Sequence, residues 1–473
     1  MNFLKAYFHA ATVSLSSKFV AIFANIALLW LAARILDKGD FGIFMVALAV
    51  VSLLGMVLAG PFCSIILFHG SRLKNEPDQN ELGHELTGRV MSWVIIFALL
   101  ITGLMIVSAN IWSDIFNMPD LERWLYVLSP MIILEALRRV MAAWHRARQE
   151  VQISITYNEI WPNVLKAGFL VGAYLFSPHI YGVAFALNLS LLVPVVAIFM
   201  KDPVYPNLGR KVFTDWDIKY GLKNLFTYGL NQQSRGFDLI LVGALSSALI
   251  AADYAIASRF GRLLLVGKQG LSQLLAPRLG AHFGGEANDM AAFEFKIMRF
   301  IGFAIAACGA LFMLLFGEWG TSLFCDTCDN AYPVLLILSA AFVVNTSFGS
   351  LEDYMTMAGH AGWNLGLSVI STSIMILMSI ILIPYLGGVG AGFAVLAAFA
   401  VRGVAMTLAI QRLDGVMLVT TANMTTAFAA AGVLIGAAYD QIGTGLAFFL
   451  IVLITILPLD YKKLISRRGR TLR

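Results

Sequence analysis

Lys18, Glu135, Lys166, Arg235, Asp238, Arg259, Arg262, Lys268 and Arg402 all fall inside stretches that are otherwise apolar enough to cross a membrane. A charge at the centre of a spanning helix costs about 2.5–3.5 kcal/mol on insertion scales, so such a residue faces a wet cavity or a partner. Cations outnumber carboxylates here, and Lys166, Arg235 and Arg402 sit near the middle of their stretches. Arg259 and Arg262 are three apart, hence on one helix face. Arg235 and Asp238 share that spacing, which suits either mutual neutralisation or a joint site. Lys18 and Lys268 lie nearer the stretch ends, where a long stem can snorkel to the headgroups. Lys166, Arg259, Arg262 and Arg402 have no matching set of buried acids in the sequence and are the candidates to line a cavity. Lys18 and Arg235 join them as substrate-binding candidates. Asp238 and Glu135 are, by depth alone, candidates to carry a coupling ion.

A cationic cavity suits an anionic substrate. The planar fork of arginine gives phosphate paired, charge-assisted hydrogen bonds, so the pyrophosphate of a polyprenyl-linked sugar fits this chemistry. A site for organic cations would instead want carboxylates and aromatic faces. No Gly-rich phosphate loop, metal-ligand cluster or ATP-binding domain is legible, and the seven histidines show no ligand spacing. The expectation is a non-enzyme without cofactor or metal, driven by an ion gradient, the membrane potential or consumption of substrate on the far side. Cys325 and Cys328 are too isolated for a structural zinc site, leaving a disulfide or two ordinary thiols.

Long apolar elements must hold these charges. Hydrophobic residues make up 59% of the 473-residue chain and charged residues 13%, with a mean hydropathy of +0.79. One soluble core could not hide so much apolar surface. A spanning helix needs about twenty apolar residues, and fourteen such segments can be drawn, from Ala10–Ile35 and Phe41–Phe68 to Met417–Ala438 and Gly443–Leu459. Trp124–Ala143, Val151–Phe176, Leu225–Leu245, Ala251–Leu274, Leu365–Tyr385 and Val389–Ile410 hold most of the buried charges. Barrel strands would be about ten residues long and alternating, so an all-α polytopic protein is expected. Lys18 interrupts the first apolar run and no small-residue cleavage site follows, which argues against a signal peptide.

Cations concentrate in alternate loops and in the tail from Lys462 to Arg473, while the other loops carry Asp114, Asp120, Glu318, Asp326 and Asp329. By the positive-inside rule both termini are cytoplasmic, as an even helix count requires. The net charge of +5 therefore reports topology, and nucleic acid is not an expected partner. Asp40-Phe41-Gly42-Ile43 and Asp253-Tyr254-Ala255-Ile256 recur at a shift of about 213 positions, which also sets Asn25 on Asp238. This weak repeat predicts two six-helix bundles, 1–200 and 225–411, joined by a cytoplasmic linker 201–224. Residues 412–473 then supply two extra helices and the basic tail.

Ala32-Ala33-Arg34-Ile35-Leu36 followed by Gly39-Asp40-Phe41-Gly42-Ile43-Phe44 resembles the polysaccharide transporter branch of the multidrug/oligosaccharidyl-lipid/polysaccharide exporter superfamily, which includes the Wzx-type O-antigen flippases. Tyr254-Ala255 to Pro277-Arg278, Ala358-Gly359 and Gly388-Val389-Gly390-Ala391 are similar to later parts of that family, whereas Asp37-Lys38 departs from its usual Gly-Pro-like turn. The resemblance implies two bundles that alternate between openings, and a cationic cavity that holds a pyrophosphate-sugar head. The implied task is flipping undecaprenyl-pyrophosphate-linked oligosaccharide across a bacterial inner membrane for surface or exopolysaccharide assembly. Membrane lipids and polysaccharide polymerase machinery are the implied partners. A cation-coupled multidrug antiporter of the same superfamily and a lipid II flippase are the alternatives.

Overall fold

A computed structural model describes residues 20–72, 79–148, 150–207, 236–284, 288–324, 328, 330–419 and 421–438. Lys18, Arg235, Cys325, the segment Gly443–Leu459 and the basic tail lie outside these residues. The chain is an all-α polytopic membrane protein. Among the described residues there is no strand, and six helices are long and apolar enough to cross a membrane.

The expected segments do not map one to one onto unbroken helices. Trp124–Ala143 is divided into Leu121–Leu128 and Pro130–Ala147, because Pro130 has no N–H to donate and instead opens a new helix. Val151–Phe176 contains a π-helical turn, Thr156–Ile160, just ahead of Pro162, whose ring and missing N–H disturb the preceding turn. Ala251–Leu274 is interrupted after Gly261 by a 3-10 turn, Arg262–Leu265. Leu365–Tyr385 and Val389–Ile410 are, as expected, two helices within Ala361–Asp414, parted by a non-helical kink at Gly387. There φ is 56° and ψ is −132°, a conformation that a side chain would strain.

The chain divides into two compact units, 1–252 and 253–473. The first comprises α1 (Val20–Ile35), α2 (Lys38–Arg72), α3 (Gln79–Val107), α4 (Ala109–Phe116), α5 (Leu121–Leu128), α6 (Pro130–Ala147) and α7 (Val151–Ile155). It continues with α8 (Trp161–Phe176), α9 (Ile180–Lys201), α10 (Phe237–Leu245) and the start of α11 (Ala248–Gly261). The helix α2 is its axis and packs on α3, α5, α6 and α10. Phe44 and Trp124, both fully buried, meet at 4.9 Å between ring centroids. Gly42, in the motif that carries the family resemblance, is where α2 crosses the start of α11: a Cβ there would lie 1.9 Å from the Ala248 carbonyl oxygen. The helix α10 packs on α2 within the first unit.

The second unit is built around α14 (Ala331–Ser347), which is almost wholly buried by α13 (Asn288–Ser322), α16 (Ala361–Asp414) and α17 (Thr421–Ala438). The helices α12 (Val266–Gly284) and α15 (Leu351–Met357) complete it. Tyr354 is buried between Phe283 and Phe295, with centroids 5.2 and 5.7 Å away. Leu99, Leu100, Leu104 and Val107 of α3 are exposed large apolar side chains. In water such a stripe would be an aggregation hazard; in a bilayer it is the lipid face.

Candidate functional site

In the first unit, the apolar helix α8 carries Lys166 half-buried toward α1, where its Nζ donates to Asn25 Oδ1 at 3.1 Å. The Asn25 amide donates in turn to the Ala21 carbonyl one turn back, at 2.8 Å, which fixes Oδ1 as the acceptor for the lysine. Lys166 is therefore positioned by a neutral side chain in this contact.

Glu135 has a different setting. Its carboxylate takes Arg138 at 2.5 Å and Arg139 at 2.7 Å, both within α6. Arg138 is itself buried and reaches across to Asn158 in the π turn, donating to Oδ1 at 2.7 Å and to the backbone carbonyl. Arg138 and Arg139 both lie within α6. They belong to the helix because Glu135, one turn earlier, supplies the charge that lets them enter it. The depth of Glu135, which was the reason to assign it a coupling ion, is accounted for by this ion pair. Asp238 is buried at 3% exposure in the first turn of α10, where the helix dipole favours a carboxylate.

In the second unit, Arg259 ends α11 and Arg262 opens the 3-10 turn, both half-buried. Lys268, one turn into α12, donates to Asn345 Oδ1 at 2.9 Å and pairs with Glu352 at 3.3 Å. The neighbouring Asp353 accepts a hydrogen bond from Ser272 of α12. Arg402 of α16 donates to Ser368 Oγ at 3.2 Å, and its charge acts on Glu352 together with that of Lys268. Glu352 is thus paired with one cation and lies within the field of a second from another helix.

Glu352 and Asp353 were missed as site residues. They are adjacent acids inside the segment Val334–Met357, and that placement alone was the available signal. The break at Ser347–Ser350, which turns α15 toward α12, was not legible. Lys166 lies in the first unit and Arg259, Arg262 and Arg402 in the second, while Lys18 and Arg235 are outside the described residues. Among the described residues no three His, Cys, Asp or Glu side chains converge as metal ligands. Cys328 is in a disulfide, and Cys63 and Cys308 are free thiols.

Lys166 and Arg402 lie within apolar helices and Lys268 near the start of one; in each unit their contacts to an amide, a hydroxyl or a carboxylate are of a kind that an anionic oxygen could replace.

The fold is that of known transporters. An inward-facing multidrug resistance MATE family transporter of the MOP superfamily is similar with a TM-score of 0.65, at 16% identity, over 85% of this chain and 95% of its own. An outward-facing MATE transporter matches with a TM-score of 0.60, at 16% identity, over 87% and 97%. A MATE protein in complex with MaL6 matches with 0.61, also at 16% identity, over 87% and 97%. No curated protein matches the chain significantly. A family model described as polysaccharide biosynthesis protein matches residues 31–333, well over half of the chain. This transporter-fold membrane protein belongs to the polysaccharide biosynthesis protein family.

Proposed function

We propose that the protein is a flippase that carries undecaprenyl-pyrophosphate-linked oligosaccharide across the inner membrane for surface or exopolysaccharide assembly. The observation that carries this reading is the set of cations held within apolar helices of a polysaccharide biosynthesis family member: Lys166, Arg259, Arg262, Lys268 and Arg402. In the first unit an anionic head would take Lys166 from Asn25, and in the second it would take Lys268 and Arg402 from Asn345 and Ser368, while the polyprenyl tail stays in hydrocarbon. Lys18 and Arg235 contribute further positive charge. Glu352 holds Lys268 until the anion arrives, which limits the cost of an empty cationic site. Asp238 remains the carboxylate of choice for a coupling ion.

Both termini are cytoplasmic in this reading, and the loop containing Cys328 faces the oxidising side. The disulfide supports that orientation, because such bonds persist outside the reducing cytoplasm.

The test is the fate of lipid-linked sugar in cells lacking the protein. Loss of surface polymer with accumulation of undecaprenyl-linked intermediate in the cytoplasmic leaflet is the expected result, with loss again on complementation by Arg259→Gln, Arg262→Gln, Lys166→Gln or Arg402→Gln. An unchanged pool together with new sensitivity to cationic drugs would overturn the reading in favour of a multidrug antiporter. Accumulation of lipid II would move the substrate to the peptidoglycan precursor.

A further inference from the structure

Beside α5, the helices α8 and α9 enclose an open apolar groove of about 720 Å³ that the transport reading does not use. Gly168 and Gly172 lie one turn apart on α8, and a Cβ at either would meet nothing within 4 Å. The floor of the groove is therefore bare helix backbone, and Phe169, Phe185 and Leu189 form its walls. Phe185 is 67% exposed and Phe176, at the upper end of α8, is 88% exposed. Exposed apolar surface of this kind suits a groove that opens into lipid.

Its mouth is polar. At the loop joining the two helices, the His179 ring caps α9: its Nδ1 accepts from the Gly182 amide at 3.4 Å and lies 3.0 Å from Ser177 Oγ. An accepting Nδ1 puts the ring proton on Nε2, which also lies 3.5 Å from Ser177 Oγ. The exposed Tyr181 stands edge-on to the imidazole at 6.0 Å between centroids. The positive end of the 22-residue helix α9 begins at the same place.

We propose that this groove is a docking site for one membrane glycerophospholipid, with an acyl chain along Gly168 and Gly172 and the phosphodiester at His179. The size falls in the usual range of about 300–1,000 Å³ for a small-molecule site. The charge of the mouth decides between lipids. An imidazole N–H, hydroxyls and a helix end match a singly charged phosphodiester, whereas the doubly bridged charge of a pyrophosphate would call for arginines or lysines, and the groove lining has none. The bound lipid fills the gap between α8 and α9 on the face that α8 turns away from Lys166's partner Asn25. The site is independent of the transport reading.

The protein, reconstituted in vesicles of phosphatidylethanolamine and phosphatidylglycerol with a trace of phosphatidylethanolamine carrying a photoreactive diazirine in one acyl chain, tests this directly. Labelling is expected to be severalfold denser at Phe169, Phe185 and Leu189 than at Leu99 and Leu104, which face hydrocarbon without a groove. Gly172→Phe, which fills the floor, and His179→Ala, which removes the head contact, should each lower that excess severalfold with membrane insertion unchanged. Equal labelling of the two regions in the wild-type chain would overturn the proposal. So would displacement of the probe by equimolar undecaprenyl phosphate, which would make the carrier lipid the occupant.

Discussion

Arg148 Nη1 and Asp202 Oδ2 lie 2.9 Å apart, tying the end of α6 to the end of α9 across 54 residues of chain. The same carboxylate receives His84 Nε2 at 3.0 Å and Trp144 Nε1 at 3.2 Å. Arg148 also pairs with Glu150 at 3.1 Å, which in turn meets His145 Nδ1 at 2.6 Å. Three helices of the first unit are thus closed at one end around one acid.

Replacing that acid should loosen the unit without touching the substrate cations. Asp202→Ala leaves three donors without their acceptor, at about 1–3 kcal/mol for partly buried groups. The expected outcome is a melting temperature several degrees lower in detergent, with Trp144→Phe giving a smaller drop. An unchanged melting temperature in Asp202→Ala would show that the three contacts contribute nothing.

Glu135→Gln should act as a folding lesion rather than as a coupling lesion. It removes the carboxylate that Arg138 and Arg139 share in a helix packed on α2, and breaking a buried ion pair costs about 3–5 kcal/mol. The check is the amount of inserted, protease-resistant protein, expected to fall sharply, while any surviving molecules keep the wild-type dependence of transport on the ion gradient. Full accumulation with altered ion dependence would instead restore Glu135 as a coupling residue.

Arg402 and Ser368 separate a ligand contact from its resting partner. Loss of a charge-assisted hydrogen bond is worth about 1.5–3 kcal/mol, roughly ten- to hundredfold in substrate affinity. Arg402→Gln is expected to lose export by about that factor in a complementation assay, whereas Ser368→Ala leaves export close to wild type. Equal defects in the two would make the pair structural.

Two glycines carry backbone demands that no side chain can meet. At Gly42, any Cβ collides with the Ala248 backbone, so Gly42→Val should prevent the packing of α2 on the start of α11 and reduce the inserted protein to traces on an immunoblot. Gly387→Ala meets a milder penalty of about 1–3 kcal/mol from its positive φ, read as a lower melting temperature with export retained.

The sequence by itself determined that this is a membrane-spanning helical protein, because the length and apolarity of its segments admit no other solvent. It also marked out Lys166, Arg259, Arg262 and Arg402, since a charge in an apolar run is conspicuous without any structure. Tertiary structure decided their surroundings. Hydrophobicity runs on smoothly through Ser129-Pro130 and through Gly261, so apolar length could not distinguish a broken helix from a straight one there, whereas the glycines at 387 and 388 already parted two segments. The breaks at the first two places come from a proline and a 3-10 turn. The partners were equally hidden. Asn25 and Lys166 are 141 residues apart in the chain, and Lys268 and Asn345 are 77 apart, with nothing in the intervening residues to announce the contact. The groove at His179 is a property of packing alone: its glycines read as ordinary helix residues until two helices stand side by side and leave the space beside them empty.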